Sequence, residues 1–359
     1  MDSSRSMTPK ERVMTVLDHR MPDRVPVVPQ AFMFACETAG YRIGDVNKNG
    51  RLMAESHRIC RDKYGYDGVV IDIDDASLAE ACGAKVVFRE EEVAIVDEHE
   101  PVLKELKMIH DMELPDPKTS GRLPEWLVAT EDLVSSIGDE VFVMGRADQG
   151  PFDLACLLRG TSNFMMDLIE ADPADIWAVL DWCRQATLRF AQAQKDAGAH
   201  ATSIGDSYAG PALMSPAMYR QFALEHEITL TKQVQDYGIP FSIHICGNTN
   251  AIIEDLVTTK ARIIEVDWQV DMKKASQLSR GKAVLMGNID PSDPLAFGAP
   301  EDVDAKSKAI IEDTRGMDII LSSGCAMGRN TKPENMAAMV EAAKKYGTRD
   351  QIESINAGA

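Results

Sequence analysis

The sequence predicts an α/β protein built as a single (β/α)8 barrel. Short apolar runs recur along the whole chain, and longer stretches with helical periodicity lie between them. No linker rich in Gly, Ser or Pro divides the 359 residues, a length that is normal for one such barrel. Strand order cannot be read from a sequence, so a doubly wound open sheet is the alternative.

The chain opens with a segment, residues 1–8, that we expect to be a mobile leader ahead of one barrel domain over residues 9–350. Thr8, Pro9 and Glu11 have the spacing of a helix start: a capping residue, a proline at the first helical position and an acid three residues after the cap. We therefore expect a short N-terminal helical extension before the first strand.

Eight apolar runs are the predicted strands. They cover residues 24–29, 68–73, 141–145, 201–206, 240–245, 262–267, 283–287 and 318–322. Helical patterns fill the intervals, for example over residues 51–64, 172–197, 216–237, 300–314 and 333–346. Residues 85–96 break the alternation and predict an inserted hairpin between the second and third strands.

The composition excludes several classes of function. Lys and Arg number 38 against 57 for Asp and Glu, and the net charge of −19 argues against a nucleic-acid or anionic-membrane partner. No run reaches the roughly 18 apolar residues of a membrane span, and the first residues lack the apolar core of a signal peptide. Seven scattered cysteines fit a reducing compartment, so we expect a cytoplasmic protein.

Candidate metal ligands follow the fifth and eighth predicted strands. His244 and Cys246 are two residues apart, so their side chains project from one face of the strand. Imidazole together with thiolate suits Zn²⁺. Cys325 follows the last strand, and in a closed barrel its loop joins the same rim. Three protein ligands leave a fourth position open to a substrate.

The alternative is that these cysteines are packing residues, because most buried cysteines behave as small hydrophobic side chains. We expect that role for the remaining five, which lie in or beside helical patterns: Cys36, Cys60, Cys82, Cys156 and Cys183.

Further polar residues end the predicted strands. Asp206 with Tyr208 and Glu265 with Asp267 are pairs two residues apart, which we interpret as catalytic or substrate-positioning groups. The alternatives are hydrogen bonds to loop backbone for the first pair and ion pairs with Arg24 or Arg146 for the second. Possible rim contacts come from two neutral amides, Gln149 and Asn288.

Several segments resemble the uroporphyrinogen decarboxylase superfamily from about residue 8 to 348. They are residues 9–12, 22–27, 150–155, 206–210, 215–219, 286–291 and 324–335. The resemblance implies the same barrel fold. The decarboxylase itself carries an arginine-rich segment after the first strand, and here the matching residues 29–36 (PQAFMFAC) have no arginine. It also has a histidine where this chain has Cys325.

The pattern of His244, Cys246 and a distant Cys325 is instead similar to the zinc motif of the cobalamin methyltransferase branch, of the methylcobamide:coenzyme M type. That resemblance implies a zinc-dependent enzyme that moves a methyl group between a corrinoid and a thiol such as coenzyme M. The chain has no D-x-H-x-x-G segment, so the corrinoid (cobalamin) would arrive on a corrinoid-binding partner protein or as free cofactor. The alternatives are transfer from a methoxylated or methylated small molecule onto a corrinoid protein, a decarboxylase, and a noncatalytic cobamide-binding protein.

Overall fold

The structure is a computed structural model that describes residues 6–357. Its strands are β1 (Gly68–Val70), β2 (Val86–Val87), β3 (Ile95–Val96), β4 (Phe142–Gln149), β5 (Ala201–Gly205), β6 (Phe241–Ile245), β7 (Ile263–Val266), β8 (Val284–Ile289) and β9 (Ile319–Ser323). Seven of them form one parallel sheet in the order β1-β4-β5-β6-β7-β8-β9.

The helices are α1 (Pro9–Leu17), α2 (Phe32–Ala39), α3 (Ile43–Val46), α4 (Gly50–Tyr64), α5 (Ser77–Ala81), α6 (Leu123–Ile137), α7 (Pro151–Arg159), α8 (Thr161–Glu170), α9 (Pro173–Asp196), α10 (Pro216–Phe222), α11 (Leu224–Asp236), α12 (Ile253–Thr258), α13 (Met272–Ser279), α14 (Pro300–Asp313), α15 (Pro333–Tyr346) and α16 (Arg349–Ala357). No helix in residues 6–357 is both long enough and apolar enough to cross a membrane.

The sheet closes through the first predicted strand, which lies between β9 and β1. Val27 forms a parallel bridge with Leu321, and the Val28 N–H donates to the Leu321 carbonyl at 3.0 Å. On the other side the Asp67 N–H donates to the Val27 carbonyl at 2.7 Å. Pro26 lacks an N–H, so this segment cannot form a regular ladder. The predicted barrel is confirmed, with an irregular eighth member.

The barrel interior and the space between strands and helices are separate hydrophobic layers. Val13, Val16 and Leu17 of α1 pack into the interior layer with side chains of the strands, among them Val70, Phe142, Ile263 and Ile320. The outer layer contains the alternate residues of the same strands and the inner faces of the helices. This two-sided burial explains why the predicted strands are apolar runs.

The N-terminal helix and the inserted hairpin are both present. Thr8 Oγ1 accepts from the Glu11 N–H at 3.1 Å, and the Glu11 carboxylate accepts from the Thr8 N–H at 2.8 Å, which completes the predicted capping box. β2 and β3 pair antiparallel, with Val86 opposite Val96. Residues 1–5 of the predicted leader lie outside the described residues, and Met7 donates its N–H to Asp23. The domain boundaries stay a prediction.

Candidate metal centre

His244 and Cys246 lie at the carboxyl end of β6. Strand alternation directs Phe241, Ile243 and Ile245 into the outer hydrophobic layer. His244 therefore projects into the barrel, where it is 4% exposed, and Cys246 follows one residue after the strand. Cys325 follows β9 in a loop that lies close to the loop after β7. The two loops are so close at Gly324 that a Cβ atom there would collide with the backbone of Trp268.

The three predicted ligands come together. His244 Nε2 lies 3.0 Å from Cys246 Sγ and 3.8 Å from Cys325 Sγ, and the two sulfurs are 3.5 Å apart. Tetrahedral zinc with Zn–S near 2.3 Å and Zn–N near 2.0 Å needs donor separations of about 3.6–3.8 Å. The donor set fits zinc in its chemistry, and two of the three separations are close to this range, whereas the 3.0 Å between His244 Nε2 and Cys246 Sγ is shorter. Zinc binding stays a prediction.

Within residues 6–357, no further His, Cys or carboxylate donor joins this group. The fourth tetrahedral position would therefore have no His, Cys or carboxylate ligand, an arrangement typical of catalytic zinc sites.

The β7 strand orients the histidine. His244 is paired with Glu265 in the β6–β7 register, and its Nδ1 lies 3.2 Å from the Glu265 backbone carbonyl. An Nδ1–H that donates to this carbonyl would let Nε2 face the two sulfurs and bind a metal there once its own proton is lost.

The three side chains also shift one another's ionisation. A hydrogen bond from the Cys325 thiol, together with the His244 charge, lowers the pKa of Cys246 to about 3 against the opposing effect of burial. Burial lowers the pKa of His244, but the Cys246 thiolate outweighs it and raises that pKa to about 9. The same hydrogen bond to Cys246 raises the pKa of Cys325. Cys246 is therefore a thiolate at neutral pH, the form that binds metals.

A cavity of about 440 Å³ opens beside the three donors. One wall is apolar and is formed by Phe32, Met33, Leu157 and residues 93–96 of the hairpin. The hairpin therefore covers the site from one side, and its removal would open the cavity to water.

Glu265 lies beneath the donors and does not line the cavity. Its carboxylate is buried and accepts from Arg146 at 2.9 Å and from the Ser242 hydroxyl at 2.7 Å. Arg146 also lies 3.1 Å from Asp72. Of the two arginines considered from the sequence, Arg146 is the partner of Glu265, whereas Arg24 binds Asp67.

Asp206 is fully buried and lies away from the cavity lining. Its Oδ1 accepts from the Asp153 N–H at 2.7 Å, and Asp153 accepts from the Tyr208 N–H at 2.6 Å. Burial raises the pKa of Asp206 to about 6. Tyr208 is half-buried and lines the cavity. The structure thus places Tyr208 where a substrate would contact it, and Asp206 behind it.

The remaining predicted residues also fall into two groups: one residue lines the cavity and two lie behind the lining. Gln149 lines the cavity and donates its amide to Asp148 at 2.7 Å. Asn288 and Asp267 are buried outside the lining. Asn288 of β8 donates to the backbone carbonyls of Asp267 and Val270 at 2.9 and 3.0 Å, which joins the loop after β7 to β8.

The sequence did not indicate two residues that line the cavity: Gln30 and Asp75. Asp75 lies beyond the end of β1, where the alternation of strand side chains no longer applies. The run of three acids within residues 72–75 is the signal that was available.

Comparison with known proteins identifies the family. A family model described as uroporphyrinogen decarboxylase (URO-D) matches residues 8–346. A methylcobamide:CoM methyltransferase of Methanosarcina mazei is 29% identical over 344 residues, which cover 94% of this chain and 98% of that protein. A uroporphyrinogen decarboxylase of Xanthomonas axonopodis pv. citri is 25% identical over 365 residues, 96% of this chain and 100% of that protein.

The solved structure of a methyltransferase from Methanosarcina mazei superposes with a TM-score of 0.86 at 27% identity, and covers 95% of this chain and 99% of that one. These findings confirm the resemblance that the sequence motifs predicted, including the likeness to the methyltransferase branch. The chain belongs to the uroporphyrinogen decarboxylase family.

Proposed function

We propose that this chain is a zinc-dependent methyltransferase that moves a methyl group between a corrinoid and a thiol. The observation that carries the proposal is the approach of His244 and two cysteine sulfurs to within 3.0–3.8 Å at a cavity, with no fourth His, Cys or carboxylate donor in residues 6–357. Relatives whose names specify methylcobamide:CoM methyl transfer support it.

His244, Cys246 and Cys325 would hold the metal. Zinc bound by two thiolates and a neutral imidazole would keep a substrate sulfur deprotonated and nucleophilic at neutral pH. The Glu265 carbonyl fixes the imidazole, and the Arg146 pair with the Glu265 carboxylate fixes β7 against β4. The hairpin and Phe32 shield the reacting atoms from water.

In the transfer itself, the thiol would release its proton to solvent, and its sulfur would take the methyl group from the methylated corrinoid substrate. The electron pair of the broken cobalt–carbon bond would stay with the corrinoid, which would leave as Co(I). Positioning of the two reactants would supply much of the rate. We infer that a corrinoid-binding protein presents the corrinoid at the rim of the barrel, in the cytoplasm. The seven cysteines, all free in the structure, support a reducing compartment.

A decarboxylase function is disfavoured by the cavity. A tetrapyrrole substrate with many carboxylates needs cations, whereas Arg146 is the one arginine on the cavity wall within residues 6–357, and two carboxylates already hold it.

The direct test is methyl transfer from methylcobalamin to a panel of thiols, followed at the corrin absorption bands. We expect turnover that requires zinc and that is lost on chelation. X-ray absorption should show the sulfur neighbours of zinc rise from two to three when the thiol is added. If no thiol changes the zinc environment, while a methoxylated or methylated compound methylates Co(I), the opposite direction of transfer replaces this proposal.

A further inference from the structure

Carboxylic acids are the most numerous polar side chains of the cavity lining beside the metal donors, and burial raises the pKa of Asp72, Asp148 and Asp153. The lining includes six such groups: Asp72, Asp74, Asp75, Glu98, Asp148 and Asp153. Asp72 pairs with Arg146 and Asp74 pairs with Arg122. The other four have no lysine, arginine or histidine within ion-pair distance among residues 6–357.

No cation on the lining is available to balance them. The basic side chains that line the cavity are Arg146 and His244. Arg146 is 3% exposed and lies between Asp72 and Glu265. His244 directs Nε2 at the cysteine sulfurs. An anionic group that entered the cavity would therefore meet carboxylates and no free positive charge.

Asp75 is the carboxylate best placed to contact a ligand. It lines the cavity with an exposed side chain, whereas Asp72, Asp148 and Asp153 are buried. The Asp75 side chain forms no hydrogen bond or ion pair with another residue in the described chain, although its backbone carbonyl accepts from Gln149. A carboxylate without a protein partner, beside a metal donor set, is suited to bind a cationic group of a substrate.

Buried amides in the same wall are also incompletely satisfied. Gln149 is 2% exposed, and its Oε1 accepts no hydrogen bond from residues 6–357, while its Nε2 donates to Asp148. Gln30 has an unpartnered Nε2 and accepts weakly from Arg146 at 3.4 Å. Buried polar atoms normally have partners, so unpartnered ones beside a cavity indicate a ligand or ordered water. Gln149 Oε1 adds an acceptor suited to an N–H group.

We propose that the small substrate which exchanges the methyl group with the corrinoid is positively charged, as an aminothiol is, and that Asp75 binds its cationic end. This inference rests on the proposed function and narrows it. Coenzyme M, the acceptor in the names of the relatives, bears a sulfonate, and this chain would therefore differ from them in substrate charge.

Three thiols of one length test the proposal: 2-aminoethanethiol, 2-mercaptoethanol and 2-mercaptoethanesulfonate. With zinc-loaded protein and methylcobalamin, kcat/KM should be highest for the amine, about tenfold lower for the alcohol, and lowest for the sulfonate. Calorimetric Kd values for the same three thiols, measured without methylcobalamin, should follow the same order.

Asp75→Asn should remove most of the preference for the amine over the alcohol, and Asp139→Asn should leave it unchanged. Asp139 is exposed at the amino end of β4, far from the carboxyl ends of the strands. Each thiol has the same intrinsic acidity whether it is assayed with the wild-type protein or with a variant. A change in the preference for the amine between these proteins therefore measures the contribution of Asp75.

The two proposals fail in different ways. Equal or higher kcat/KM for the sulfonate overturns the charge inference but leaves methyl transfer to thiols intact. Absence of transfer to every thiol, with the amine still bound most tightly and dependent on Asp75, overturns the proposed function and retains the charge inference. A preference for the amine that survives in Asp75→Asn excludes Asp75 as its origin.

Discussion

Cys325 is the donor that joins the last barrel strand to the site, and its sulfur lies within 3.8 Å of both other donors. Cys325→Ala removes one of three proposed ligands, and we expect zinc content to fall from about one ion per chain to well under half. Elemental analysis of anaerobically purified protein measures this.

Cys183→Ala is the matched control, because Cys183 is fully buried in α9 and lies outside the donor group. It should retain its zinc. Equal zinc content in both variants would remove Cys325 from the ligand set.

Glu265 contributes to the site through two separate groups. Its backbone carbonyl orients His244, and its carboxylate neutralises Arg146. Glu265→Gln keeps the first contact and weakens the second, so we expect the free energy of unfolding to fall by about 3 kcal/mol, because Arg146 is buried. Zinc content should remain near one. Urea unfolding measures the free energy of unfolding, and metal analysis measures the zinc content.

Asp236→Asn is the control for this measurement, since Asp236 pairs with Lys232 on the surface. A fall in unfolding free energy as large as that of Glu265→Gln would show that burial is not the cause.

We expect His57 to make the stability of the protein sensitive to acid. Burial lowers the pKa of its imidazole to about 4, below the value near 6.5 of an unfolded chain. The unfolded state therefore binds the extra proton between these values, and the free energy of unfolding should decrease as the pH falls from about 6.5 to 4. His57→Gln should make this decrease shallower, by up to about 1.4 kcal/mol per pH unit. Urea midpoints at several pH values measure the slope.

His200 and His226 also have a pKa lowered by burial to about 4, so part of the acid sensitivity should remain in His57→Gln. The exposed His99 gives the control, and His99→Gln should keep the wild-type slope. An unchanged slope in His57→Gln would contradict the argument.

The period of two residues in a strand explains which side chains could be predicted from the sequence. Inside β6 it placed His244 toward the barrel interior, and the common rim of a closed barrel brought Cys325 close. The same rule did not separate Glu265 and Asp206, which lie behind the lining, from Tyr208, which lies on it. Loops after the strands decide that difference, and their course depends on tertiary packing.

All eight strands could be predicted from the sequence, because each is buried on two faces and is therefore apolar. The irregular pairing of residues 25–28 follows from prolines, which the sequence also shows. The packing of the hairpin could not be predicted, because it depends on contacts between β2, β3 and distant helices.

Gly44 in α3 fixes the position of that hairpin. Its N–H donates to the Glu90 carbonyl at 2.9 Å, and a Cβ at this position would lie 2.7 Å from the Arg89 carbonyl oxygen. Gly44→Ala should displace the connection between β2 and β3, and with it the cavity wall at residues 93–96. We expect the KM for the thiol to rise several-fold while zinc content stays unchanged.

Steady-state kinetics and metal analysis test this expectation, with Asp45→Ala as the control, because Asp45 is exposed on the same helix and pairs with Arg42. An unchanged KM in Gly44→Ala would show that the hairpin does not shape the substrate site.

Closure of the whole barrel depends on Asp67. Its buried carboxylate lies 2.5 Å from Arg12 and 2.8 Å from Arg24, and it accepts from the Val27 N–H at 2.8 Å. These contacts join α1, the first strand and the start of β1. Asp67→Asn removes the charge that both arginines share, and we expect the free energy of unfolding to fall by about 3 kcal/mol.

Hydrogen exchange should locate the effect of Asp67→Asn, with faster exchange of the Val28 and Leu321 amides and little change in β6. Asp18→Asn, at an exposed pair with Arg20, should leave exchange unaltered. Uniformly faster exchange throughout the barrel would indicate global destabilisation instead of local opening at the closure.

The position of the site residues along the chain has a consequence for how such a protein diversifies. All three metal donors follow residue 240, whereas Gln30, Phe32, Asp75, Asp148 and the hairpin precede residue 150. If the proposed roles hold, reaction chemistry and most of substrate recognition are encoded in opposite halves of the polypeptide. Mutation or recombination in the first half can exchange one acceptor for another while the second half continues to supply the same reactive centre.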